Sequence, residues 1–387
     1  MAVYVLGAGA TRGASFVNPK TNPCLPPLDS DFFTQLQRIG NTKHRDTVDR
    51  VVRDTAELFG NNFSVTMETV FTTLEHTIRM VEATGEARAF RRRDLVAKRD
   101  NLMQAIGALF EESLCSGLEM TPCLHHKKLV SEMRAEDVIL SFNYDCLIDD
   151  SLRRFGDGRW DAKFGYGLPL RARTPGQTIL RGGFLKWSPA SPAKRGSGSI
   201  KLCKLHGSLH FSLSKKDAQL DLKERPYTKQ RGDLRFAIIP PESDKRYDKG
   251  FFQGLWRQAR EALFRTETLV FIGYSLPATD QHATALFRVA VKGGGLKSLV
   301  VVNPDKEARR RIRGVVQRGL DPDTRVYSFD KLEDFACCER TLWDPSVNVA
   351  NVPPPVVPGC AAAPAAPIQP AGAAVGEPAA QGDVGQG

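Results

Sequence analysis

No C-x-x-C pair occurs anywhere in the 387 residues. Structural zinc modules need such closely spaced thiolates. The eight cysteines, Cys24, Cys115, Cys123, Cys146, Cys203, Cys337, Cys338 and Cys360, therefore do not read as one. Adjacent cysteines such as Cys337 and Cys338 are poorly placed to chelate one ion together. Reduced, mostly buried thiols in a cytoplasmic protein are the expectation. No apolar run is long enough to span a bilayer, so no membrane partner is expected. The apolar start, Met1 to Ala10, has no basic stretch before it and is broken by glycines, so it reads as a strand and turn and not as a secretory leader. Also missing is an acidic residue at a second strand end about 20 residues after the first glycine turn, which leaves the ordinary dehydrogenase fingerprint incomplete.

What is present is a globular composition, 41% hydrophobic and 25% charged, long enough to bury a large core. The net charge of +10 admits nucleic acid or an acidic cofactor as partner and requires neither. Apolar runs at Ala2–Leu6, Val138–Leu140, Thr268–Ile272 and Leu299–Val302 read as buried strands, with Ile200–Leu205 as another probable strand and Arg325–Phe329 as a last one. They alternate with helical patterns, which predicts an α/β fold: a Rossmann-like parallel sheet flanked by helices. Between the first two strands, residues from about 32 to 135 carry apolar positions at helical spacing. Met67, Val70, Phe71, Leu74, Ile78 and Val81 form one stripe, and Leu102, Ile106, Leu109, Phe110 and Leu114 another. This stretch is expected to be a large helical insertion forming a smaller module. Its basic turn, Arg88, Arg91, Arg92 and Arg93, reads first as a solvated face and alternatively as a contact for nucleic acid or a partner. From about Pro345 to Gly387 Pro, Ala, Gly and Gln dominate, and a disordered tail is expected there. The catalytic unit would then be residues 1–340.

Five polar turns follow the predicted strands. Gly7-Ala8-Gly9-Ala10 is small enough for backbone N–H groups to approach a pyrophosphate, although it would also serve as a structural turn. Asn143 and Asp145 stand two apart after the second strand, where both can face a crevice or Asp145 can cap the next helix. His206-Gly207 ends the third strand. Gly273-Tyr274-Ser275 and Asn303 end two more, and Asp280 is placed to cap the helix after the former. Strand ends of a parallel sheet converge on one edge, and ligands bind there. The loop from Ser15 to Asp31 is a candidate cover.

Taken in this order, Gly7-Ala8-Gly9-Ala10, Asn143-x-Asp145, His206-Gly207, Gly273-x-Ser275 and Asn303 resemble the sirtuin family over roughly residues 1 to 335. The resemblance implies NAD as substrate. It implies that Gly7, Ala8, Gly9 and Ala10 hold the pyrophosphate, that Asn143 orients water or the nicotinamide ribose, and that Asp145 meets the carboxamide. It further implies His206 as general base, Gly273 and Ser275 against phosphate or ribose, and Asn303 against the adenosine ribose. Lysine-deacylating sirtuins carry a four-cysteine zinc module and a compact Pro-x-Phe-Arg element. This chain shows neither, and no metal is expected.

With the helical insertion, these departures look more like the bacterial sirtuin-like NAD hydrolases of antiphage defence. That group splits NAD+ to nicotinamide and ADP-ribose, and some members work with a HerA-type ATPase. A homo-oligomer and control by a partner or by assembly are expected on the same ground. The competing readings are an NAD-dependent protein-lysine deacylase and a non-enzymatic NAD or ADP-ribose sensor or scaffold. Dependence of turnover on an acyl-lysine peptide would separate the first, and binding without turnover the second.

Overall fold

The computed structural model describes residues 1–85, 91–168, 187, 199–214, 220–227, 234–239 and 250–345. The first strand, β1 (Ala2–Leu6), runs directly into the short helix α1 (Ala8–Arg12). A helical block follows: α2 (Phe32–Gln37), α3 (Arg45–Phe59), α4 (Met67–Thr84), α5 (Arg92–Leu114), a two-residue hairpin of β2 (Cys115–Ser116) and β3 (Glu119–Met120), and α6 (Leu124–Glu132). The chain returns through β4 (Val138–Ser141), α7 (Leu147–Phe155), α8 (Ala162–Gly165), β5 (Lys201–Lys204), β6 (Gly207–Ser214), β7 (Leu220–Leu222) and β8 (Leu234–Ile238). It then forms α9 (Gly250–Arg265), β9 (Thr268–Ile272), α10 (Gln281–Ala290), β10 (Ser298–Val302), α11 (Lys306–Val315), β11 (Arg325–Phe329), α12 (Leu332–Cys337) and α13 (Arg340–Trp343).

Six strands form one sheet in the order β11-β10-β9-β1-β4-β5. Every pairing in it is parallel. This is the doubly wound order, whose direction of winding reverses between β1 and β9. Helices on both faces explain why β1, β4, β9 and β10 are buried at every position, are apolar apart from Ser141, Thr268 and Ser298, and show no alternation. The predicted helical stripe Met67, Val70, Phe71, Leu74, Ile78 and Val81 is buried on α4, and the second stripe is buried on α5. Both belong to the same apolar cluster as the sheet.

The foot of the sheet is fastened by a buried ion network. Asp137 accepts from the Ala2 amide at 2.8 Å and from the Arg134 amide at 2.8 Å, and pairs with Arg340. Arg340 also binds Asp344 at 2.6 Å, which accepts from Thr268 Oγ1 at 3.0 Å. One arginine from the short helix α13 thus ties together the starts of β1, β4 and β9.

A separate antiparallel sheet, β7-β6-β8, has a central strand that starts at Gly207. Gly207 has φ +79°, and a Cβ there would lie 2.0 Å from the Ala237 carbonyl oxygen. Only glycine lets the chain leave β5 and enter the second sheet one residue after His206. The basic residue Arg88, the Pro/Ser/Gly-rich run Ser188–Gly198 and the tail after Pro345 lie outside the described residues.

At the reversal point β1 and β9 approach through backbone alone. A Cβ at Gly7 would lie 2.5 Å from Tyr274 Cα, one at Gly9 2.8 Å from Gly273 Cα, and one at Gly273 (φ +59°) 2.1 Å from the Ala10 nitrogen. None of these can be relieved by turning a side chain. Gly7→Ala is expected to cost about 1–3 kcal/mol through overpacking. Gly273→Ala is expected to cost more, because strain at positive φ adds to the clash. Urea unfolding of the two variants against the native chain measures both.

Candidate functional site

All five predicted turns lie at the carboxyl edge of the main sheet, on both sides of the reversal point. At the end of β1, Gly7 stands extended before α1. Its amide donates to Ile272 O at 3.0 Å, and the Gly9 amide donates to Gly273 O at 2.9 Å. The glycines are therefore required first by the contact with the β9 turn. Ala8 is left exposed on the rim and Gly9 half-buried, while Ala10 faces the core.

The β4 turn closes onto α1. Asn143, buried, donates from Nδ2 to the Gly7 carbonyl at 2.9 Å and to Thr11 Oγ1 at 3.1 Å. Thr11 in turn donates to Asp145 Oδ2 at 2.7 Å. The other oxygen, Asp145 Oδ1, accepts from the Leu147 amide at 2.9 Å at the start of α7. Asp145 thus braces the start of α7 with one oxygen and the buried Thr11 with the other. Thr11 is a connecting residue that the sequence reading did not single out. Its place on α1, four residues after Gly7, is the signal that could have found it.

His206 occupies the turn between β5 and β6 and is 6% exposed. Its ring meets the edge of Phe142, with centroids 5.0 Å apart, and Nε2 lies 3.5 Å from Asp280 Oδ2. Phe142 stacks on Tyr274 at 4.3 Å, and Tyr274 OH donates to the same Asp280 oxygen at 2.9 Å. Among the described residues no hydrogen bond joins Asn143 to His206; Phe142 is the physical link between them. On the far side Asn303 donates from Nδ2 to Tyr274 O at 3.2 Å and accepts from the Asp305 amide at 2.9 Å. Ser275 is exposed, and its carbonyl accepts from Arg311 at 3.0 Å. Leu276, next along, holds a left-handed backbone at φ +47°. Such strain in a non-glycine residue needs a surrounding structure that enforces it.

The candidate cover is held at both ends. Arg12 binds the Pro26 carbonyl at 2.6 Å and Asp31 at 2.5 Å. Ser15 donates its amide to Cys123 Sγ at 3.3 Å. That sulfur also faces His126 Nδ1 at 3.1 Å and the His126 amide at 3.5 Å. Burial pushes the Cys123 thiol up, but the His126 hydrogen bond and charge, with the two amide donors, outweigh it and bring it to about 6. The thiolate's contribution to stability is therefore present above the unfolded pKa of about 8.5 and is lost as pH falls through about 6. Denaturation of Cys123→Ala and the native chain across this range should show the largest penalty above about pH 8.5, a shrinking one as pH falls towards 6, and the smallest below it.

Behind the β4 turn lies a second polar cluster, fully buried. Lys204 Nζ donates to the Asp145 carbonyl at 2.5 Å and lies 3.2 Å from Asp149 Oδ2. Tyr166 OH donates to Asp149 Oδ1 at 2.6 Å and faces His210 Nε2 at 2.8 Å. His210 Nδ1 meets Ser208 Oγ at 3.0 Å and Cys146 Sγ at 2.8 Å. Burial and then the Lys204 charge hold His210 well below its usual range, so it is neutral, and burial pushes the Cys146 thiol well up. Burial disfavours the Lys204 ammonium, but Asp149, Cys146 and Asp145 more than offset this. Cys146, Asp149 and His210 have ligand-type atoms within 4.8 Å of one another. Here, however, an ammonium already supplies the positive charge beside the carboxylate. Lys204→Met should cost about 3–5 kcal/mol by stranding Asp149. Lys204→Met/Asp149→Leu should recover part of that loss in a denaturation cycle.

The strand order and these turns define a doubly wound α/β protein whose five turns gather about its reversal point. Residues 137–321, which hold four of the five turns, match the family model described as a SIR2-like domain. A comparison with curated proteins gives no match. Among solved structures, the chain is similar to a Sir2 histidine-to-alanine mutant with deacetylated p53 peptide and 3'-O-acetyl ADP-ribose, at 13% identity over 87% of this chain and 90% of that one, with a TM-score of 0.36. It is also similar to Sir2 with p53 peptide and NAD+, at 12% identity over 70% of this chain and 96% of that one, with a TM-score of 0.32.

Proposed function

We propose that this chain is a sirtuin-like NAD+ glycohydrolase that cleaves the nicotinamide–ribose bond to give nicotinamide and ADP-ribose. The observation that carries the reading is the placement of the Asn143 amide and the His206 imidazole at the carboxyl edge of a doubly wound sheet, beside a glycine turn. In this reading Gly7, Ala8, Gly9 and Ala10 take the pyrophosphate, and Gly273, Ser275 and Asn303 take the adenosine half. Asn143 spends its two amide protons on Gly7 O and Thr11, which leaves the carbonyl oxygen of the same group to accept from water or a ribose hydroxyl.

The bond is already activated, because nicotinamide leaves as a neutral base from a cationic ring. The site has to hold the ribose, accommodate an oxocarbenium-like state and deliver one water. His206 takes a proton from that water or from a ribose hydroxyl, and the products are nicotinamide, ADP-ribose and one proton. Phe142 and Tyr144 lie against His206, and Tyr274 stacks on Phe142, which supplies aromatic surface for a nicotinamide ring. Asp145 acts through Thr11, keeping the Asn143 amide on the crevice side.

Hydrolysis is preferred over lysine deacylation because the sequence carries no C-x-x-C pairs for the zinc module that deacylating relatives use. The biological reading is NAD+ depletion in antiphage defence, by a homo-oligomer or under a HerA-type ATPase partner, with residues 1–340 as the catalytic unit and about 32–135 as its insertion. The stacked Phe142–Tyr274 pair against His206 is compatible with a resting state that such a partner releases.

The test is NAD+ consumption by the full chain, alone and with the product of its neighbouring gene, following nicotinamide and ADP-ribose without any peptide. Asn143→Ala and His206→Ala are each expected to lose about 100-fold or more of the turnover while unfolding as the native chain does. Undiminished turnover in both variants, or turnover only with an acyl-lysine peptide, overturns the assignment.

A further inference from the structure

We infer that Asp280 is the positioning carboxylate for His206: it holds the imidazole proton on Nε2. The inference rests on the reading of His206 as the base and adds the residue that makes it one. Asp280 is 2% exposed and stands at the start of α10, on the opposite side of the reversal point from His206. Its two oxygens have different work. Oδ1 accepts from the Ala283 amide at 3.4 Å, the ordinary role of an aspartate before a helix. Oδ2 points away from the helix, accepts the Tyr274 hydroxyl at 2.9 Å and lies 3.5 Å from His206 Nε2.

A helix cap alone needs one oxygen. The second, held in a buried site by a tyrosine and aimed at an imidazole nitrogen, is what capping does not explain. A carboxylate only accepts, so the ring nitrogen facing it carries the proton, and the other nitrogen is left as the acceptor. Tyr274 fixes the carboxylate in turn. Its ring is stacked on Phe142, whose edge is set against His206, so the phenol, the carboxylate and the imidazole form one closed arrangement. The residues come from three separate strand ends, β4, β5 and β9, and from the helix following the last.

Asp280→Asn gives a sharp test, because asparagine caps helices as well as aspartate does. With its oxygen retained at the Ala283 amide, the new NH2 group faces His206 and donates to Nε2, which drives the proton to Nδ1. Two-dimensional 15N NMR of the ligand-free full chain distinguishes the two tautomers, and His206→Gln identifies the signal among the seven histidines. The expected result is Nε2–H in the native chain and Nδ1–H in Asp280→Asn, with the same melting temperature and a loss of NAD+ turnover of roughly 100- to 10,000-fold. Asp280→Ser, which still caps but cannot reach His206, should give a mixture of tautomers and an intermediate loss; it also serves if Asp280→Asn folds poorly.

A native Nδ1–H tautomer, or an unchanged tautomer in both variants, overturns the inference whatever the turnover. If the tautomers shift as expected but His206→Ala still cleaves NAD+, the pairing stands and the reading of His206 as base falls.

Discussion

Three glycines hold the carboxyl edge in shape. Gly7, Gly9 and Gly273 let the turns of β1 and β9 touch backbone to backbone at the point where the sheet reverses its winding. From that contact the other turns take their places. The Gly7 carbonyl, pushed to the crevice side, becomes the acceptor for Asn143. The Tyr274 carbonyl, at the other side of the same contact, becomes the acceptor for Asn303. A methyl group at any of the three would separate the two halves of the sheet where the polar groups of both must converge. A pyrophosphate-binding role for this turn would therefore be secondary to a packing constraint, because the backbone has to come close before it can present anything.

Behind the edge the protein keeps a charged group where burial is costly. The Lys204 ammonium is fully enclosed, and a carboxylate and a main-chain carbonyl compensate it. Replacing such a pair by apolar residues is often neutral for stability. Its geometric effect is specific, however: Lys204 reaches from β5 across to the Asp145 carbonyl and fixes the turn that carries Asn143 and Asp145. The polar cluster through Tyr166, His210 and Cys146 extends this bracing into the second sheet.

The main sheet was legible in the sequence because β1, β4, β9 and β10 are buried along their whole length and read as largely apolar runs; the edge strand Arg325–Phe329, mostly exposed or half-buried, was recovered to the residue. The helical stripes on α4 and α5 were legible for the same reason, as one-sided burial at helical spacing. The second sheet was not. Gly207–Ser214 mixes glycine, serines and a histidine with its apolar residues, and its pairing with β8 spans a shift between Ser208 and Ser212 that breaks simple alternation. The five turns could be named from their position after strands. The Lys204–Asp149 pair and the second role of Asp280 could not, because their chemistry arises from residues distant in sequence, 55 positions apart for Lys204 and Asp149. Asp280 was recognisable as a helix cap, and only the fold brings its second oxygen to His206.

The turn that carries His206 belongs to two sheets at once. Leu205 donates its amide to Ser141 O at the end of β4, while the His206 carbonyl accepts from Ile239 at the end of β8. Leu209 then ties β6 back to the Tyr144 carbonyl. The imidazole is therefore mounted at a hinge line between a rigid plate and a smaller one. Any force that tilts the small sheet is delivered to the imidazole as a rotation of its mounting, with the large sheet as the fixed frame of reference.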